Sequence, residues 1–190
     1  MRILALSGSL RRGSYNTALL RAAAAVAPPG VDVSLYEGLK DVPPYDADAD
    51  GGVGGQPGAV ERLREALADA DGVLVATPEY NHSIPGVLKN ALDWVSRPLV
   101  ESPVRNKPVA VASSSTSMFG GVWAAAETQK VLGALGARVL DETVAVPRAA
   151  ERLAGGVDRG LEEELRALLE ALAAAAHERE RDLHRVATAA

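Results

Sequence analysis

Cysteine is absent from all 190 residues, which excludes disulfides, thiolate metal sites, iron–sulfur clusters and cysteine nucleophiles together. Aromatic residues are scarce at 4 %, although 47 % of the chain is hydrophobic. The core must therefore be built from Val, Leu and Ala, as in folds where helices cover a sheet. There is no basic block and the formal net charge is −5, so the electrostatic footprint of a nucleic-acid-binding protein is missing and no such partner is expected. No stretch approaches the roughly 20 apolar residues of a membrane span, so no membrane partner is expected either. Ser7-Gly8-Ser9 interrupts the first apolar run, and no secretory signal is expected. What remains is one domain over residues 1–190 with a cytoplasmic location as the default.

Apolar runs and helical patterns alternate along the chain, the signature of a parallel sheet with helices on both faces. Five strands are expected, at Arg2–Leu6, Val31–Tyr36, Gly72–Ala76, Pro108–Ala112 and Arg138–Val146. The third and fourth are nearly continuous in Val, Leu and Ala, which marks them as central strands covered on both faces. Helices are expected at Asn16–Val26, Gly58–Ala70, Gly86–Ser96, Gly121–Leu135 and Asp158 to about Arg185, with fraying after Asp182. The segment from Gly38 to Pro57 reads as a long surface loop. Its glycine half suits a connector, and Val42-Pro43-Pro44-Tyr45-Asp46 suits an ordered stretch lining a site or an interface.

In such a sheet, ligands bind beyond the carboxyl ends of the strands, near the point where strand order reverses. Three polar or glycine-rich loops fall there. After the first strand comes Ser7-Gly8-Ser9-Leu10-Arg11-Arg12-Gly13-Ser14-Tyr15-Asn16-Thr17. It supplies hydroxyls, glycine-exposed N–H groups, a guanidinium and an amide ahead of a helix that Ser14 or Asn16 would cap, a combination that favours an anion. It has neither the Gly-x-Gly-x-x-Gly spacing of a dinucleotide fold nor the Gly-Lys-Ser/Thr of a P-loop. A phosphate monoester, with three oxygens to satisfy, is the expected guest. The bland alternative is a serine-rich turn and helix cap with no ligand.

After the third strand, Pro78-Glu79-Tyr80-Asn81 offers backbone donors stiffened by proline, a phenol and an amide, which together could hold a flat heteroaromatic ring. Tyr80 alone is as readily a surface aromatic, and His82 reads as a solvated loop residue because no charge relay completes it. On the following helix Trp94 is expected as core or as a subunit contact. After the fourth strand, Ser113 to Gly121 carries Gly120-Gly121, which could let a ring or a phosphate approach the backbone closely or could simply start a helix.

With those residues in view, the chain resembles the NADPH-dependent FMN reductase family, flavodoxin-like proteins that include quinone, chromate and azo-dye reductases. Three stretches carry the resemblance: Gly8-Ser9-Leu10-Arg11 with Ser14 and Asn16; Pro78-Glu79-Tyr80-Asn81 with Ser83, Pro85-Gly86, Leu88-Lys89-Asn90 and Asp93-Trp94; and Ser113 to Gly121. They span residues 1 to about 145. The sequence departs from the family's pattern at Thr116, Ser117, Met118 and Phe119, and at Glu127-Thr128-Gln129-Lys130. The resemblance implies a flavodoxin-like three-layer sandwich with a five-stranded parallel sheet in the order 2-1-3-4-5. It implies that Ser9, Arg11, Ser14, Asn16 and Thr17 hold the FMN phosphate, that Pro78, Glu79, Tyr80 and Asn81 line the isoalloxazine ring, and that Ser113, Ser117 and Gly120 belong to the loop on its far side. It further implies NADPH or NADH as electron donor, a small-molecule electron acceptor, and a homodimer or homotetramer. An oxidoreductase whose cofactor carries the reactivity is consistent with a chain that offers no triad, paired acid and base, or metal cluster. The rival reading is a flavodoxin-like electron carrier that does not oxidise NAD(P)H itself.

Overall fold

The computed structural model describes residues 1–50 and 55–188. Five strands, β1 (Arg2–Ser7), β2 (Asp32–Tyr36), β3 (Gly72–Thr77), β4 (Pro108–Ser114) and β5 (Arg138–Val146), form one sheet. All neighbours are parallel, in the order β2-β1-β3-β4-β5, which is the order expected from the resemblance. The chain reverses direction across the sheet between β1 and β3.

Side-chain alternation divides the core into two. On one face Leu4, Leu6, Val73, Val75, Val109 and Val111 pack against α2 (Gly58–Asp69), α3 (Gly86–Val95) and α4 (Val122–Ala134). On the other, Ile3, Ala5, Leu74, Ala76, Ala110 and Ala112 meet α1 (Tyr15–Ala25) and the leucine stripe Leu161, Leu165, Leu168, Leu169 and Leu172 of the last helix, α6 (Arg159–Thr188). The α6 face is continuous because those leucines recur at 3- and 4-residue spacing. Between β5 and α6 lies a four-residue helix, α5 (Ala149–Arg152), which no sequence pattern announced. The edge strand β5 exposes Asp141, Glu142 and Thr143, charges and a hydroxyl that discourage further strand pairing.

Helix ends follow the sequence closely. Ser14 caps α1, its Oγ accepting from Thr17 N at 3.2 Å, and Asp158 Oδ1 accepts from Leu161 N at 2.8 Å at the start of α6. That helix stays regular through Thr188, and Asp182 pairs with Arg138 at 3.0 Å. Trp94 is fully buried and donates from Nε1 to Pro43 O at 2.8 Å, so it belongs to the core. Asn90 holds the same stretch twice, accepting from Tyr45 N at 2.7 Å and donating to Pro43 O at 2.8 Å. Val42 to Tyr45 is therefore ordered against α3. Gly51, Gly52 and Gly54 of the expected connector lie outside the described residues. Among the described residues no helix is long and apolar enough to cross a membrane.

Candidate functional site

Beyond the carboxyl ends of β1, β3 and β4, at the reversal point, lies a cleft of about 410 Å³ lined by Ser9, Arg11, Ser14, Tyr15, Asn16, Pro78, Glu79, Tyr80, Ser114, Ser115 and Thr116. Its size suits a small organic ligand, for which roughly 300–1,000 Å³ is usual. Close approach of the first two walls depends on Gly8, where a Cβ would stand only 3.1 Å from Leu88 Cδ2 and 3.2 Å from Pro78 Cδ. The Gly8 N–H donates to Ala76 O at 2.8 Å, fastening the β1 loop to β3.

The β1 loop builds one end of the cleft. Ser14 Oγ takes the Thr17 N–H, which leaves the N–H groups of Tyr15 and Asn16 without an acceptor among the described residues, at the positive end of α1. Arg11 is solvent-exposed, with its guanidinium 5.0 Å over the Tyr15 ring. That stack restricts the side chain while leaving its donors free for an anion. Ser9 Oγ lies 3.5 Å from Tyr80 OH, joining this end to the β3 loop.

The β3 loop forms the opposite wall. Tyr80 and Ser83 exchange backbone hydrogen bonds of 3.1 Å in both directions, and the two residues between them, Asn81 and His82, have φ of 53° and 61°. This is the geometry of a two-residue hairpin turn in which both central residues are left-handed. Two carboxylates tie the turn to α4. Glu79 Oε2 accepts from Ala124 N at 3.4 Å in the first turn of α4, whose N-cap, Gly121, provides no side-chain acceptor. In the reverse direction Glu127 Oε2, on α4, accepts from Ser83 Oγ at 2.6 Å and from Ile84 N at 3.2 Å. The Ser83 hydroxyl and the Ile84 N–H together hold the Glu127 carboxyl below its ordinary range. His82 Nδ1 stands 3.5 Å from Glu79 Oε1, but the imidazole is largely exposed, and the hydroxyl of the adjoining Ser83 donates to Glu127 rather than to the imidazole.

The β4 loop closes the third side. Ser113 and Ser114 are buried, and neither hydroxyl has a hydrogen-bond partner among the described residues; Ser114 lines the cleft. Ser115 Oγ accepts from Ser117 N at 3.1 Å and Ser117 Oγ from Phe119 N at 3.4 Å, successive turns that shape the rim. Beyond it Met118, Phe119 and Trp123 are exposed. The Phe119 ring stacks edge-on against Trp123 at 5.0 Å, and His82 does the same at 5.6 Å.

Of the residues singled out from sequence, Ser9, Arg11, Ser14, Asn16, Pro78, Glu79 and Tyr80 converge on the cleft. The side-chain amide of Asn16 is nevertheless committed to the backbone of Ser114 through bonds of 3.1 and 2.9 Å. The remaining residues do not line the cleft. Thr17 Oγ1 lies 2.8 Å from Ser7 Oγ, inside the loop, and Asn81 sits at the tip of its turn. Ser113 lies beneath the surface and Ser117 on the exposed rim. Gly120, at φ +67°, packs against the end of β5, where a Cβ would come within 2.9 Å of Val146 C and Pro147 N. Tyr15, Ser114, Ser115 and Thr116 also line the cleft; they lie in the loops singled out from sequence but were not individually assigned to the site. The fourth strand runs two residues past its expected end, to Ser114, which moves the first free loop residue from Ser113 to Ser115.

The chain is similar to known proteins in sequence and in fold. The chain is 39 % identical over 170 residues to an NAD(P)H-dependent FMN reductase of Pseudomonas aeruginosa, covering 90 % of each. It is 40 % identical over 142 residues to a quinone reductase of Escherichia coli, covering 75 % of this chain and 74 % of that one. The solved structure of FerB, a flavoenzyme NAD(P)H:(acceptor) oxidoreductase from Paracoccus denitrificans, superposes with a TM-score of 0.81 at 30 % identity, covering 94 % of this chain and 98 % of that one. Residues 1–151, which hold all five strands and the whole cleft, match the description of one family, and the chain belongs to the NADPH-dependent FMN reductase family.

Proposed function

We propose that the protein is an FMN-dependent NAD(P)H oxidoreductase that delivers electrons to a small-molecule acceptor of the quinone, flavin, azo-dye or metal-oxyanion class. One observation carries this reading: an anion-binding end and a wall suited to a planar ring share a single cleft at the strand reversal. The residues fit FMN. Arg11, Ser9 and the unpaired N–H groups of Tyr15 and Asn16 match a phosphate monoester. The buried Ser114 hydroxyl, which finds no protein partner, is an unspent polar group facing the ligand space.

In this reading Ser14 acts through its cap, fixing the first turn of α1 so that its N–H groups point at the phosphate, and Thr17 braces Ser7 behind the loop. Pro78, Glu79 and Tyr80 bound one side of the ring and Ser114, Ser115 and Thr116 bound the other, with Asn81 outside the lining at the tip of its turn. Preorganised backbone donors along this loop favour negative charge on whatever lies against them. Bound FMN supplies the hydride and electron chemistry, taking reducing equivalents from NAD(P)H and yielding them to the acceptor. The protein contributes position and polarity.

The same reading includes a homodimer or homotetramer in the cytoplasm. The exposed Met118, Phe119 and Trp123 beside the cleft support a subunit contact there, and light scattering of the purified protein measures the state. The decisive test is reconstitution with FMN followed by an NAD(P)H oxidation screen across quinones, free flavin, azo dyes and metal oxyanions. Turnover with at least one acceptor is expected. Flavin binding without NAD(P)H consumption would mark an electron carrier instead, and a protein that binds no flavin would sink both readings.

A further inference from the structure

We propose that Glu127 is a positioning residue for the cofactor wall: from α4 it clamps Ser83 and Ile84 and thereby holds the left-handed Asn81-His82 turn in its ligand-ready shape. The proposal rests on the assignment of the cleft to FMN.

The turn is an unfavourable one for its residues. A two-residue hairpin with both central residues at positive φ is served best by Asn-Gly or Gly-Gly, and here the second position is histidine at φ 61°. Asparagine and histidine enter that region more readily than most residues, yet for any residue but glycine it is uncommon and persists only where the surroundings hold it. The paired Tyr80–Ser83 backbone bonds close the turn but do not fix its position relative to the sheet. Among the described residues, the His82 side chain has a largely exposed contact with Glu79 and an edge-on contact with the exposed Trp123. Glu127 is the group that reaches the far strand of the turn from a different element, with a 2.6 Å bond to Ser83 Oγ and a 3.2 Å bond to Ile84 N.

The clamp has a rigid base. Thr128 is fully buried and donates from Oγ1 to Ala124 O at 2.6 Å, while Ala124 N donates to Glu79 at 3.4 Å. Helix and turn thus grip each other through two carboxylates running in opposite directions. Glu79 and Tyr80, which face the cleft, sit on the near side of the turn and Ser83 on the far side. Releasing Ser83 lets the turn relax away from positive φ, and Tyr80 moves with it. Glu127 itself does not line the cleft, so its effect is transmitted through the turn.

The test uses the apoprotein titrated with FMN and followed by flavin fluorescence, the visible spectrum of the bound flavin, and amide hydrogen exchange over residues 80–84. Glu127→Ala and Ser83→Ala are each expected to weaken FMN binding by about tenfold, the scale of a lost charge-assisted hydrogen bond, to alter the bound-flavin spectrum, and to speed exchange at Ser83 and Ile84. Far-UV circular dichroism should stay unchanged, since α4 keeps its other anchors. Glu127→Gln, which still offers an acceptor to both donors, should retain most of the affinity. Adding His82→Gly to Glu127→Ala should restore affinity to within about threefold of wild type, because glycine adopts the required φ without strain. Wild-type affinity and spectrum in Glu127→Ala, or failure of His82→Gly to rescue a weakened variant, would overturn the proposal. A wild-type protein that binds no FMN would overturn it together with the reading beneath it.

Discussion

Asn16 and Ser114 are joined by a closed pair of hydrogen bonds: the Asn16 amide donates from Nδ2 to Ser114 O at 3.1 Å and accepts from Ser114 N at 2.9 Å through Oδ1. Both residues are buried, and the pair fastens the first turn of α1 to the last residue of β4. The cleft exists between these two elements, so its width is set by this clasp rather than by the loops alone.

Asn16→Ala should therefore act on the apoprotein before any ligand is added. It leaves a buried N–H and a buried carbonyl unpaired at Ser114, and a loss of about 2–6 kcal/mol is expected at roughly 1–3 kcal/mol per orphaned group. Urea unfolding of the ligand-free protein measures it. An Asn16→Ala protein as stable as wild type but deficient in FMN binding would return the amide to the role of a phosphate donor.

Arg11 presents the opposite case. Its side chain is exposed and stacks on the Tyr15 ring, so Arg11→Ala should leave unfolding within about 0.5 kcal/mol of wild type. FMN affinity should fall by about 2 kcal/mol, roughly thirtyfold in Kd, if a charge-assisted phosphate contact is lost. Riboflavin, which lacks the phosphate, separates the two halves of the site. Its affinity should be the same in the wild type and in Arg11→Ala.

Asn16 also marks how far the sequence could be read. Strand identity was legible because Val73–Ala76 and Val109–Ala112 are apolar on both faces, and the loops that build the cleft follow from where those runs stop. Ser14 could be assigned because its partner is local, the start of α1. Asn16 could not, since the backbone that takes its amide is 98 residues away and nothing in the intervening chain signals it. Glu127 is hidden for the same reason, 44 residues from Ser83. Ser113 and Ser114 misled differently, because polar residues at the end of a buried strand resemble the beginning of a loop. The α5 helix, only one turn long, has too few residues to show a period.

Lys107 offers a pH-dependent test away from the cleft. It is 2 % exposed, and its Nζ donates to the carbonyls of Leu67, Ala68 and Ala70 at the end of α2, a site where a cation also meets the negative pole of the helix. Burial is the main cause that lowers its pKa to about 8, with the nearby Arg179 charge adding to it. The unfolded chain keeps this proton up to about 10.5, so between these pH values it binds more protons than the native state and stability rises with pH. Lys107→Met removes that slope, besides leaving the α2 carbonyls without their donor. The stability difference between wild type and Lys107→Met, from urea unfolding at pH 7, 9 and 10.5, should grow across the series by at most about 3 kcal/mol. A difference that is flat with pH would mean that the three carbonyls offset the burial and keep the ammonium charged.

Gly120 separates a structural glycine from a ligand-contacting one. A Cβ there would stand 2.9 Å from Val146 C and Pro147 N, at φ +67°, so Gly120→Ala combines a left-handed backbone penalty with a collision against backbone that cannot rotate away. Gly30 is the control, with φ +85° and open space for 4 Å around the position a Cβ would take. Gly30→Ala should therefore cost only the conformational penalty, about 1–2 kcal/mol, while Gly120→Ala should cost that plus about 1–3 kcal/mol for the forced displacement. Unfolding of the two ligand-free variants isolates the second quantity by subtraction. Equal losses would mean that the β4 loop yields freely at Gly120, and the absence of a side chain there would then need the ligand to explain it.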